Sequence, residues 1–509
     1  MGEQSHRIPP GEQRDLVVEF SRIHCGYPTL EADGACQVEL QCFENSPEHP
    51  HDSLSLTLAS PGTAYRALHT RSVGGYRLTV RNQDPQRPLT LIPGLVETCL
   101  PTPMEGEFRC SDPALEAVYQ VCRWTLRICR QNLHLDSPKH QEPLACTGDY
   151  YIETLMTLGT FGDMRLAEFD LLRTAQMLEA NDGRIFHTSY SLIWVQWLRD
   201  VYLFTGNLTL VRQCLPALRL LLKRFRSYMG KDGILDNPPD YMFVDWLVVD
   251  GFSMHHPPKY LGQSVLNAFL HGALQNAVAL FSLLGLSQEA QETREWADSL
   301  AAACRTLLYD PEKQLFVDGQ GTPSPQVTYY LPENLDRRHY SRHANILAVL
   351  YGLVEGEEAR ALLKRVLDSD LPEVQPYFMH YTLEALAKTG LFPEYGMALL
   401  RRWIPLAQEC FKGLKEGWFP PQPDYAFDFS HAWGGTPAYQ LPIRLLGLEL
   451  LEPGFQSIRL TPRLLGLEWA EIRLPTPYGF LHCSLKKGEP PQFRIPPEIR
   501  AQVSRDVLS

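Results

Sequence analysis

The sequence predicts a mainly α-helical protein, in which a toroid of about twelve helices lies between a β-sandwich-like N-terminal region and a small C-terminal β-domain. Three features of the pattern lead to this prediction. Apolar and polar residues alternate in short runs up to residue 105, helical periodicity extends from residue 113 to about residue 450, and alternation returns after Pro453. We therefore expect domains at residues 1–105, 106–450 and 451–509.

The N-terminal region has the patterning of an antiparallel β-sheet. Its alternating runs are LVVEF at 16–20, CQVELQCF at 36–43, SLSLTLA at 53–59 and YRLTVRN at 76–82. Turns rich in glycine, proline and asparagine separate these runs, which is typical of a sandwich. Similar short runs after Pro453 predict the C-terminal β-domain.

The central region alternates between helices and loops. It starts at Ser111, Asp112 and Pro113, an N-cap cluster with proline in the first turn. Helices are predicted at 113–134, 148–160, 163–180, 189–205, 207–228, 260–285, 287–308, 340–354, 356–368, 378–390, 393–410 and 436–450. Such helices, paired in hairpins, suit a toroid with an inner ring, an outer ring and a cleft formed by the loops at one end. A superhelical repeat array is the alternative, but the sequence has no fixed-period repeat to support it.

Composition narrows the possible functions. The chain of 509 residues carries a net charge of -12, which disfavours nucleic acid and anionic membranes as partners but suits a neutral substrate. Its 12 cysteines are scattered from Cys25 to Cys483 without a CxxC pair, as expected for reduced residues in the cytoplasm. The first residues have no apolar segment typical of a signal peptide, and no run of about eighteen apolar residues occurs, so neither secretion nor membrane insertion is expected.

Residues 136–149, DSPKHQEPLACTGD, are the strongest candidate for an active-site loop. They contain the carboxylates of Asp136, Glu142 and Asp149. Pro138 and Pro143 each remove a backbone donor and disfavour the helical conformation of the preceding residue. We therefore expect a bent loop that presents its acids at the rim of a cleft.

Glu142 is the candidate general acid of this loop. Its position beside Pro143 and Leu144 predicts a raised pKa, which keeps a carboxyl group protonated near neutral pH. Thr147 is predicted to be the N-cap of the next helix, so that Asp149 lies in the first turn, where the helix dipole favours a negative charge. The alternative is that the three acids are solvated loop residues.

A second carboxylate is needed if the reaction is inverting hydrolysis of a glycoside, in which the two carboxyl groups lie roughly 6.5 to 9.5 Å apart. The best candidate is Glu416, in the proline-interrupted loop 414–437 and close to Trp418. Other candidates for the base are Asp424, Asp428 and Glu409. The residues alone leave open that Glu416 is a solvated surface acid.

Sugar sites combine aromatic faces with a few polar groups that fix orientation. The candidates for such a site are Trp194, Trp246, Trp418 and His431. Trp246 stands among several aspartates, which favours a role as a platform, whereas Trp197 follows an apolar helix stripe and is better placed in the core. His431 fits a core position and a site position equally well.

Other chemistries find no support in the sequence. His255 and His256 are adjacent, but there is no HExxH motif and no i, i+4 histidine pair with a carboxylate, so no catalytic metal is expected. The glycines of SVGGYR and HAWGGTP lack phosphate-loop spacing, and no GxSxG motif occurs. We therefore expect no cofactor.

Residues 106–149, GEFRCSDPALEAVYQVCRWTLRICRQNLHLDSPKHQEPLACTGD, resemble the opening of the catalytic domain of bacterial α-L-rhamnosidases of glycoside hydrolase family 78. In that family this opening typically ends in a pattern like DCPQRDERLGWTGD. The resemblance continues at SYSLIWVQWLRDVYLFTGN, FVDWL, KEGW, SHAWGGTP and IRLTPRLLGLEWAEIRLPTPYG. It covers nearly the whole chain from residue 106, and it implies an (α/α)6 barrel and an inverting mechanism.

The resemblance also implies roles for individual residues. It implies that Glu142 is the general acid and that Glu416, in KEGW, stands at the position of the base. It further implies that Asp136 and Asp149 bind the hydroxyl groups of rhamnose, that Trp246 lines the sugar pocket and that His431 matches a histidine of the family. The implied function is an exo-glycosidase that removes terminal α-L-rhamnosyl residues from an oligosaccharide or glycoside.

The chain also departs from the family pattern around the acid. His140 and Gln141 replace the usual Arg-Asp, Pro143 replaces an arginine, and Cys146 stands where a pocket tryptophan is common. These departures leave two alternatives open. One is a six-hairpin glycosidase with another sugar specificity, and the other is a carbohydrate-binding relative without turnover.

Overall fold

The computed structural model describes residues 5–236, 242–320, 337–409, 412–418 and 428–504. Asp424, one of the alternative bases, lies outside the described residues, and the side chain of Glu409 is not described either. Among the helices of the described ranges, none is long and apolar enough to cross a membrane.

The N-terminal region is an antiparallel sheet. Its strands are β1 (His6–Ile8), β2 (Gln13–Ala32), β3 (Cys36–Phe43), β4 (Asp52–Leu58), β5 (Thr63–Arg66), β6 (Arg71–Asn82) and β7 (Leu89–Glu97). They are ordered β1-β7-β2-β6-β3-β4, and β5 pairs with one end of β2. Apolar and polar residues alternate along β3, so one face of the strand is buried and the other is exposed. Val38 and Leu40 point to the buried face, while Gln37 and Glu39 point to solvent.

The central region is built from helices. They are α1 (Pro113–Cys129), α2 (Thr147–Thr160), α3 (Arg165–Ala180), α4 (Thr188–Thr205), α5 (Leu208–Ser227), α6 (Gln263–Leu283), α7 (Ser287–Leu308), α8 (Arg342–Leu350), α9 (Gly356–Leu367), α10 (Pro376–Lys388), α11 (Phe392–Leu400), α12 (Trp403–Glu409) and α13 (Pro437–Leu446). Short two-stranded pairs lie between them: β9 (Val248–Val249) with β10 (Phe252–Ser253), and β11 (Tyr309–Asp310) with β12 (Leu315–Phe316). The predicted mainly α fold class is confirmed.

Burial separates an inner ring of helices from an outer ring. In α2 all fourteen residues are buried, whereas in α9 only Ala359, Leu362, Leu363 and Val366 are. The inner helices α2, α4, α6, α8 and α10 contact one another in that order, and α13 contacts α2. Hydrogen bonds from His380 to Thr436 (2.9 Å) and from Gln440 to Glu384 (2.8 Å) join α10 to α13 and close the ring.

Two predicted helices differ from the structure. The segment predicted as one helix at 393–410 is divided into α11 and α12, because Pro405 has no N–H to donate to the carbonyl of Arg401 and its ring crowds that carbonyl. Helix α1 ends at Cys129 instead of residue 134. The reason is tertiary, since the buried carboxylate of Asp170 accepts hydrogen bonds from the backbone N–H (2.9 Å) and from Nδ1 (2.7 Å) of His134.

The C-terminal region contains two small sheets. Its strands are β13 (Leu448–Glu452), β14 (Ser457–Leu460), β15 (Trp469–Thr476), β16 (Gly479–Lys486), β17 (Gln492–Arg494) and β18 (Arg500–Val503). Strands β13, β14 and β18 form one sheet. The other is ordered β17-β16-β15-β8, where β8 (Glu107–Cys110) is the strand that precedes α1. The start of the helical region is therefore tied to the end of the chain, and the exact domain boundaries stay predictions.

Candidate active site

A cleft of about 490 Å³ opens at the N-terminal ends of the inner helices. The segments that line it precede or begin α2, α4, α6 and α13. Its lining consists of Asp136, His140, Glu142, Ala145, Cys146, Asp149, Phe186, His187, Tyr190, Phe243, Trp246, His255, His256, Glu416, His431 and Trp433. Loops at one end of the toroid thus bring together residues that are almost 300 positions apart in the sequence.

The acid-bearing loop before α2 is bent, as predicted. No helix covers residues 136–146, and Gln141 and Leu144 have positive φ angles of 58° and 63°. The predicted N-cap is wrong: Cys146 is the N-cap, and Thr147 is the first helical residue. The Thr147 hydroxyl instead donates to the carbonyl of Tyr190 (2.6 Å) and so ties the start of α2 to the start of α4.

Glu142 is an exposed residue of the cleft, so the apolar enclosure expected from Pro143 and Leu144 is not formed. Three neighbours fix its position. Its backbone N–H donates to Oδ1 of Asp136 (2.7 Å), and its carbonyl accepts from the Tyr150 hydroxyl. The Cys146 thiol donates to Oε2 of Glu142 (3.2 Å). The carboxyl group is consequently held at the cleft while remaining open to a substrate.

Asp136 and Asp149 form the buried acidic floor of the cleft. Each is only 2% exposed. Burial raises the pKa of Asp136 to about 7, and burial together with the charge of Asp136 raises the pKa of Asp149 well above its usual value. The Tyr190 hydroxyl donates to Oδ2 of Asp149 (3.0 Å). Both carboxyl groups are placed to hydrogen-bond the hydroxyl groups of a sugar.

Glu416 lies in a second loop and is also buried, at 5% exposed. Its N–H donates to the carbonyl of Asp428 (2.9 Å), and its Oε2 accepts from the N–H of Asp428 (3.3 Å). Burial raises the pKa of Glu416 to about 8, and the nearby charge of Asp428 adds to this effect. The pKa of Glu416 therefore lies above neutral pH.

His431 lies among the buried carboxylates. Its Nε2 is 4.0 Å from an oxygen of Asp136 and 4.0 Å from one of Glu416, and its Nδ1 is 3.8 Å from Oδ1 of Asp149. Burial lowers the pKa of His431 to about 3, so the imidazole is neutral near pH 7. Its ring lies against Trp433, with 4.5 Å between centroids. His431 therefore joins the two acidic loops without carrying a charge.

Asp428, an alternative base, does not line the cleft. It is fully buried, and its carboxylate contacts Nζ of Lys139 (3.0 Å), Nδ1 of His140 (3.1 Å) and the Ser137 hydroxyl. Burial acts to raise the pKa of Asp428, but His140 and Lys139 outweigh it and hold this pKa well below the usual range. Asp428 is therefore a permanently charged link between the two loops.

The aromatic wall of the cleft contains Trp246, Phe243, Tyr190 and Trp433. One face of Trp246 is covered by His255, with 3.8 Å between ring centroids and 16° between ring planes. Two predicted sugar-binding residues are not in this wall. Trp194 is fully buried and donates to the carbonyl of Leu171 (3.3 Å), and Trp418 donates to the carbonyl of Val374 (3.0 Å) beside a different hollow.

The structure thus brings six of the predicted site residues together in one cleft: Asp136, Glu142, Asp149, Trp246, Glu416 and His431. Sequence reasoning did not select His187, His255 and His256, which also line it. Burial and the neighbouring imidazoles lower the pKa of His187 and of His255 to about 3, so both rings are neutral groups suited to sugar hydroxyls. The adjacent pair His255-His256 is visible in the sequence, but its spacing bears on a metal site and does not indicate a place in a sugar cleft.

One group of donor atoms among the described residues converges as a metal site would. Ligand atoms of Asp136, Asp428 and His431 all lie within 4.8 Å of one another. Lys139 and His140 already neutralise Asp428, so a metal ion would have to compete with two positive side chains. We therefore assign no metal to this group.

Comparisons with known proteins identify the family of the chain and its fold. The model of the bacterial alpha-L-rhamnosidase six-hairpin glycosidase domain matches residues 103–373, which is more than half of the chain. A sequence comparison with curated proteins found no match.

Solved structures show the same fold. A rhamnosidase of family GH78 from Bacillus sp. GL1 has 22% identity and a TM-score of 0.85, with 98% of this chain and 54% of that one covered. A rhamnosidase from Klebsiella oxytoca with rhamnose bound has 21% identity and a TM-score of 0.69, with coverages of 87% and 89%. The α-L-rhamnosidase from Streptomyces avermitilis complexed with L-rhamnose has 15% identity and a TM-score of 0.72, with coverages of 98% and 50%. This chain spans about half the length of the Bacillus and Streptomyces proteins.

Proposed function

Because the chain belongs to the bacterial α-L-rhamnosidase six-hairpin glycosidase family, glycoside hydrolase family 78, we propose that it is an inverting exo-glycosidase. Its substrate would be a terminal α-L-rhamnosyl residue on an oligosaccharide or glycoside. The observation that carries this proposal is the cleft in which Glu142 and Glu416 come from two separate loops and face the same space beside Trp246. Rhamnose bound to the Klebsiella and Streptomyces proteins supports the choice of sugar.

In this mechanism Glu142 protonates the glycosidic oxygen, and Glu416 removes a proton from water on the opposite face of the sugar. The exposed position of Glu142 suits contact with a leaving group that extends out of the cleft. The buried position of Glu416 suits a base that acts on one enclosed water molecule. Asp136 and Asp149 would hold the sugar hydroxyl groups while Trp246 packs against its C–H face.

The proposal is tested by hydrolysis of two rhamnosides that differ in their leaving groups. Methyl α-L-rhamnoside needs protonation of a poor leaving group, whereas 4-nitrophenyl α-L-rhamnoside releases a stable phenolate. Glu142→Gln should therefore slow the methyl substrate by about 100-fold or more and the nitrophenyl substrate much less. Glu416→Gln should slow both substrates by about 100-fold or more. Proton NMR of the first-formed sugar should show the inverted anomer.

The control is Glu39→Gln, which changes an exposed glutamate on β3 that does not line the cleft and should leave both rates unchanged. Full activity of both Glu142→Gln and Glu416→Gln would exclude the proposed roles. A first product with retained configuration would exclude the inverting mechanism.

Two side chains favour a second candidate, a six-hairpin glycosidase specific for another sugar. His140 and Cys146 both line the cleft, at positions where the family pattern has other residues. A panel of 4-nitrophenyl glycosides separates the candidates, because a clear preference for a sugar other than rhamnose would exclude the first. Binding of a sugar without any product would instead indicate a relative that has lost turnover.

We also propose that the protein acts in the cytoplasm. The cysteines in the described parts of the chain are all free, and Cys99 is the one among them that is not buried. Free thiols of this kind suit a reducing compartment. Localisation of a tagged protein by cell fractionation tests this proposal.

A further inference from the structure

The N-terminal sheet packs directly against the loops that carry the catalytic pair. The N–H of Ile23 donates to the carbonyl of Lys412 (2.9 Å), and Nε1 of Trp124 donates to the carbonyl of Ile23 (2.8 Å). The side-chain amide of Gln141, next to Glu142, donates to the carbonyl of Thr70 (3.0 Å). A buried apolar cluster seals this interface, and it consists of Ile23, Cys25, Ile128, Cys129 and Ala432.

One buried carboxylate of the N-terminal sheet reaches into this interface. Glu44 follows β3 directly and is only 4% exposed. Its Oε2 accepts from the backbone N–H of Phe429 (2.8 Å). Its Oε1 accepts from the hydroxyl of Ser72 (2.5 Å) and from the hydroxyl of Ser430. The loss of such buried hydrogen bonds leaves several donors without partners, which is costly in the interior.

The segment that Glu44 holds also carries the base side of the cleft. Residues 428–431 are paired through the backbone with residues 414–416, because Glu416 N–H donates to the carbonyl of Asp428 (2.9 Å) and His431 N–H donates to that of Leu414 (2.9 Å). A displacement of this segment therefore moves Glu416 and His431 together.

The opposite side of the same segment is held by the acid-bearing loop. Lys139 and His140 contact the carboxylate of Asp428 at 3.0 and 3.1 Å. The segment is thus fixed from two directions, by cations of the loop that carries Glu142 and by Glu44 of the N-terminal sheet. The contacts to Glu44 therefore fix the position of the Glu416 side of the cleft, and with it the distance between the carboxyl groups of Glu142 and Glu416.

We propose that Glu44 is a positioning residue for the catalytic pair, and that the N-terminal sheet is consequently a working part of the active site. This inference rests on the proposed function. Glu44 does not line the cleft, and it acts through Phe429 and Ser430 on the placement of Glu416. A displacement of about 1 Å in a catalytic group is enough to cost about 100-fold in rate.

The test is the kinetics of Glu44→Gln on 4-nitrophenyl α-L-rhamnoside, measured well below the melting temperature of each variant. The glutamine has the same shape, but its NH2 group cannot accept a hydrogen bond. Turned towards Phe429 it opposes the backbone N–H, and turned towards Ser72 and Ser430 it makes both hydroxyls turn to accept, so the hydrogen bonds of the segment are disturbed in either orientation. We expect kcat to fall at least tenfold. We expect KM to change less than threefold, because Asp136, Asp149 and Trp246 bind the sugar from other loops.

A double-variant cycle distinguishes positioning from a general loss of stability. Ser430→Ala removes one donor to Glu44, so the losses of kcat in Glu44→Gln and Ser430→Ala should be less than multiplicative when the two changes are combined. Glu39→Gln, an exposed glutamate of β3, is the matched control and should leave kcat unchanged. A kcat for Glu44→Gln within threefold of the wild-type value would overturn the proposal, as would fully multiplicative effects.

Hydrogen exchange keeps this inference separate from the identity of the substrate. Amides of residues 412–418 and 428–431 should exchange faster in Glu44→Gln than in the wild type, while those of the acid-bearing loop change less. If the wild type cleaves no rhamnoside, the proposed function fails, and exchange alone then decides the role of Glu44. Unchanged exchange in both segments would exclude that role.

Discussion

Glu416 is the residue whose ionisation limits the proposed reaction most directly. A general base must be ionised, yet Glu416 lies in a buried site beside the negative charge of Asp428, which raises its pKa to about 8. The neighbouring His140 acts in the opposite direction because its own pKa is raised to about 9 by its hydrogen bond to Asp428, so that it stays positively charged. The proposed base of the cleft therefore has a pKa above neutral pH.

This residue predicts the pH dependence of the reaction. For 4-nitrophenyl α-L-rhamnoside, whose leaving group needs little protonation by Glu142, the ionisation of Glu416 should dominate the profile. The fraction of ionised Glu416 grows about tenfold per pH unit below its pKa, so kcat/KM should rise by about that factor per unit until it levels near pH 8. Asp136, with a pKa of about 7, adds a second ionisation to the pH profile of kcat/KM, and Asp136→Asn removes this ionisation from the profile. The measurement is kcat/KM for 4-nitrophenyl α-L-rhamnoside between pH 5.5 and 9.

The control for this profile is Glu416→Gln. The residual kcat/KM of this variant should no longer show the rise that levels near pH 8. A wild-type profile that stays flat from pH 6 to 8 would show that another group is the base. The same kcat/KM value reports the free enzyme, which is the state in which the pKa of Glu416 is raised.

Among the elements, helices were predicted well and their ends were not. Inner helices such as α2 and α6 are apolar and long, so periodicity and length suffice to find them. The early end of α1 depends on the contact of His134 with Asp170, 36 positions later, which no local pattern contains. The division of 393–410 was available in the sequence, since Pro405 is visible there.

Gln375, at the N-terminal end of α10, joins two loops of the cleft. Its side-chain amide donates to the carbonyl of Trp246 (2.7 Å) and accepts from the N–H of Trp418 (3.1 Å), two residues after Glu416. Gln375→Ala should therefore release both loops, raising KM through Trp246 and lowering kcat through Glu416, with a loss of about tenfold in kcat/KM. The two constants are measured separately with the nitrophenyl substrate.

The matched control for this change is Gln291→Ala, since Gln291 is an exposed glutamine of α7 whose amide bonds only to neighbours on the same helix. It should leave both constants unchanged. Unchanged KM and kcat in Gln375→Ala would show that the two loops keep their positions without this link.

At the scale of the whole molecule, most of the residues that meet in the cleft could be predicted from the sequence, but their enclosure could not. Proline-interrupted loops with carboxylates identified Glu142 and Glu416, and local apolar context then misjudged the exposure of Glu142. The bond between Glu44 and Ser430 joins residues 386 positions apart. Such contacts depend on how the sheet packs on the toroid. Packing of α4 against α3 places Trp194 in the core, where it donates to the carbonyl of Leu171, although its sequence context resembles that of a site residue.

Buried ionisable groups predict how the stability of the whole molecule depends on pH. Asp136, Asp318 and Glu416 have pKa values raised to about 7, 7 and 8, so their contribution to stability is present at low pH and is lost as pH rises through those values. His187, His255 and His431 have pKa values lowered to about 3, so the unfolded chain takes up protons first and stability falls as pH drops below about 6.5. The carboxyl contribution begins to fall near pH 4, so the two effects oppose each other between about pH 4.5 and 6.5, and stability should be greatest within that range.

Asp318 lies away from the cleft and tests the contribution of a buried carboxyl group to this pH dependence. It is fully buried and accepts from the Ser341 hydroxyl (2.5 Å), and Asp318→Asn keeps this acceptor while removing the ionisation. Between pH 5 and 7 the melting temperature of Asp318→Asn should rise by a few degrees relative to that of the wild type, because only the wild type loses the contribution of a protonated Asp318 across that range. Asp84→Asn, at an exposed turn where backbone N–H groups lower the pKa of the carboxyl, should keep the wild-type slope, since this aspartate is ionised throughout that range. An equal slope in Asp318→Asn would mean that Asp318 is already ionised in the folded protein, and the fall in stability would then have to come from the carboxyl groups of the cleft.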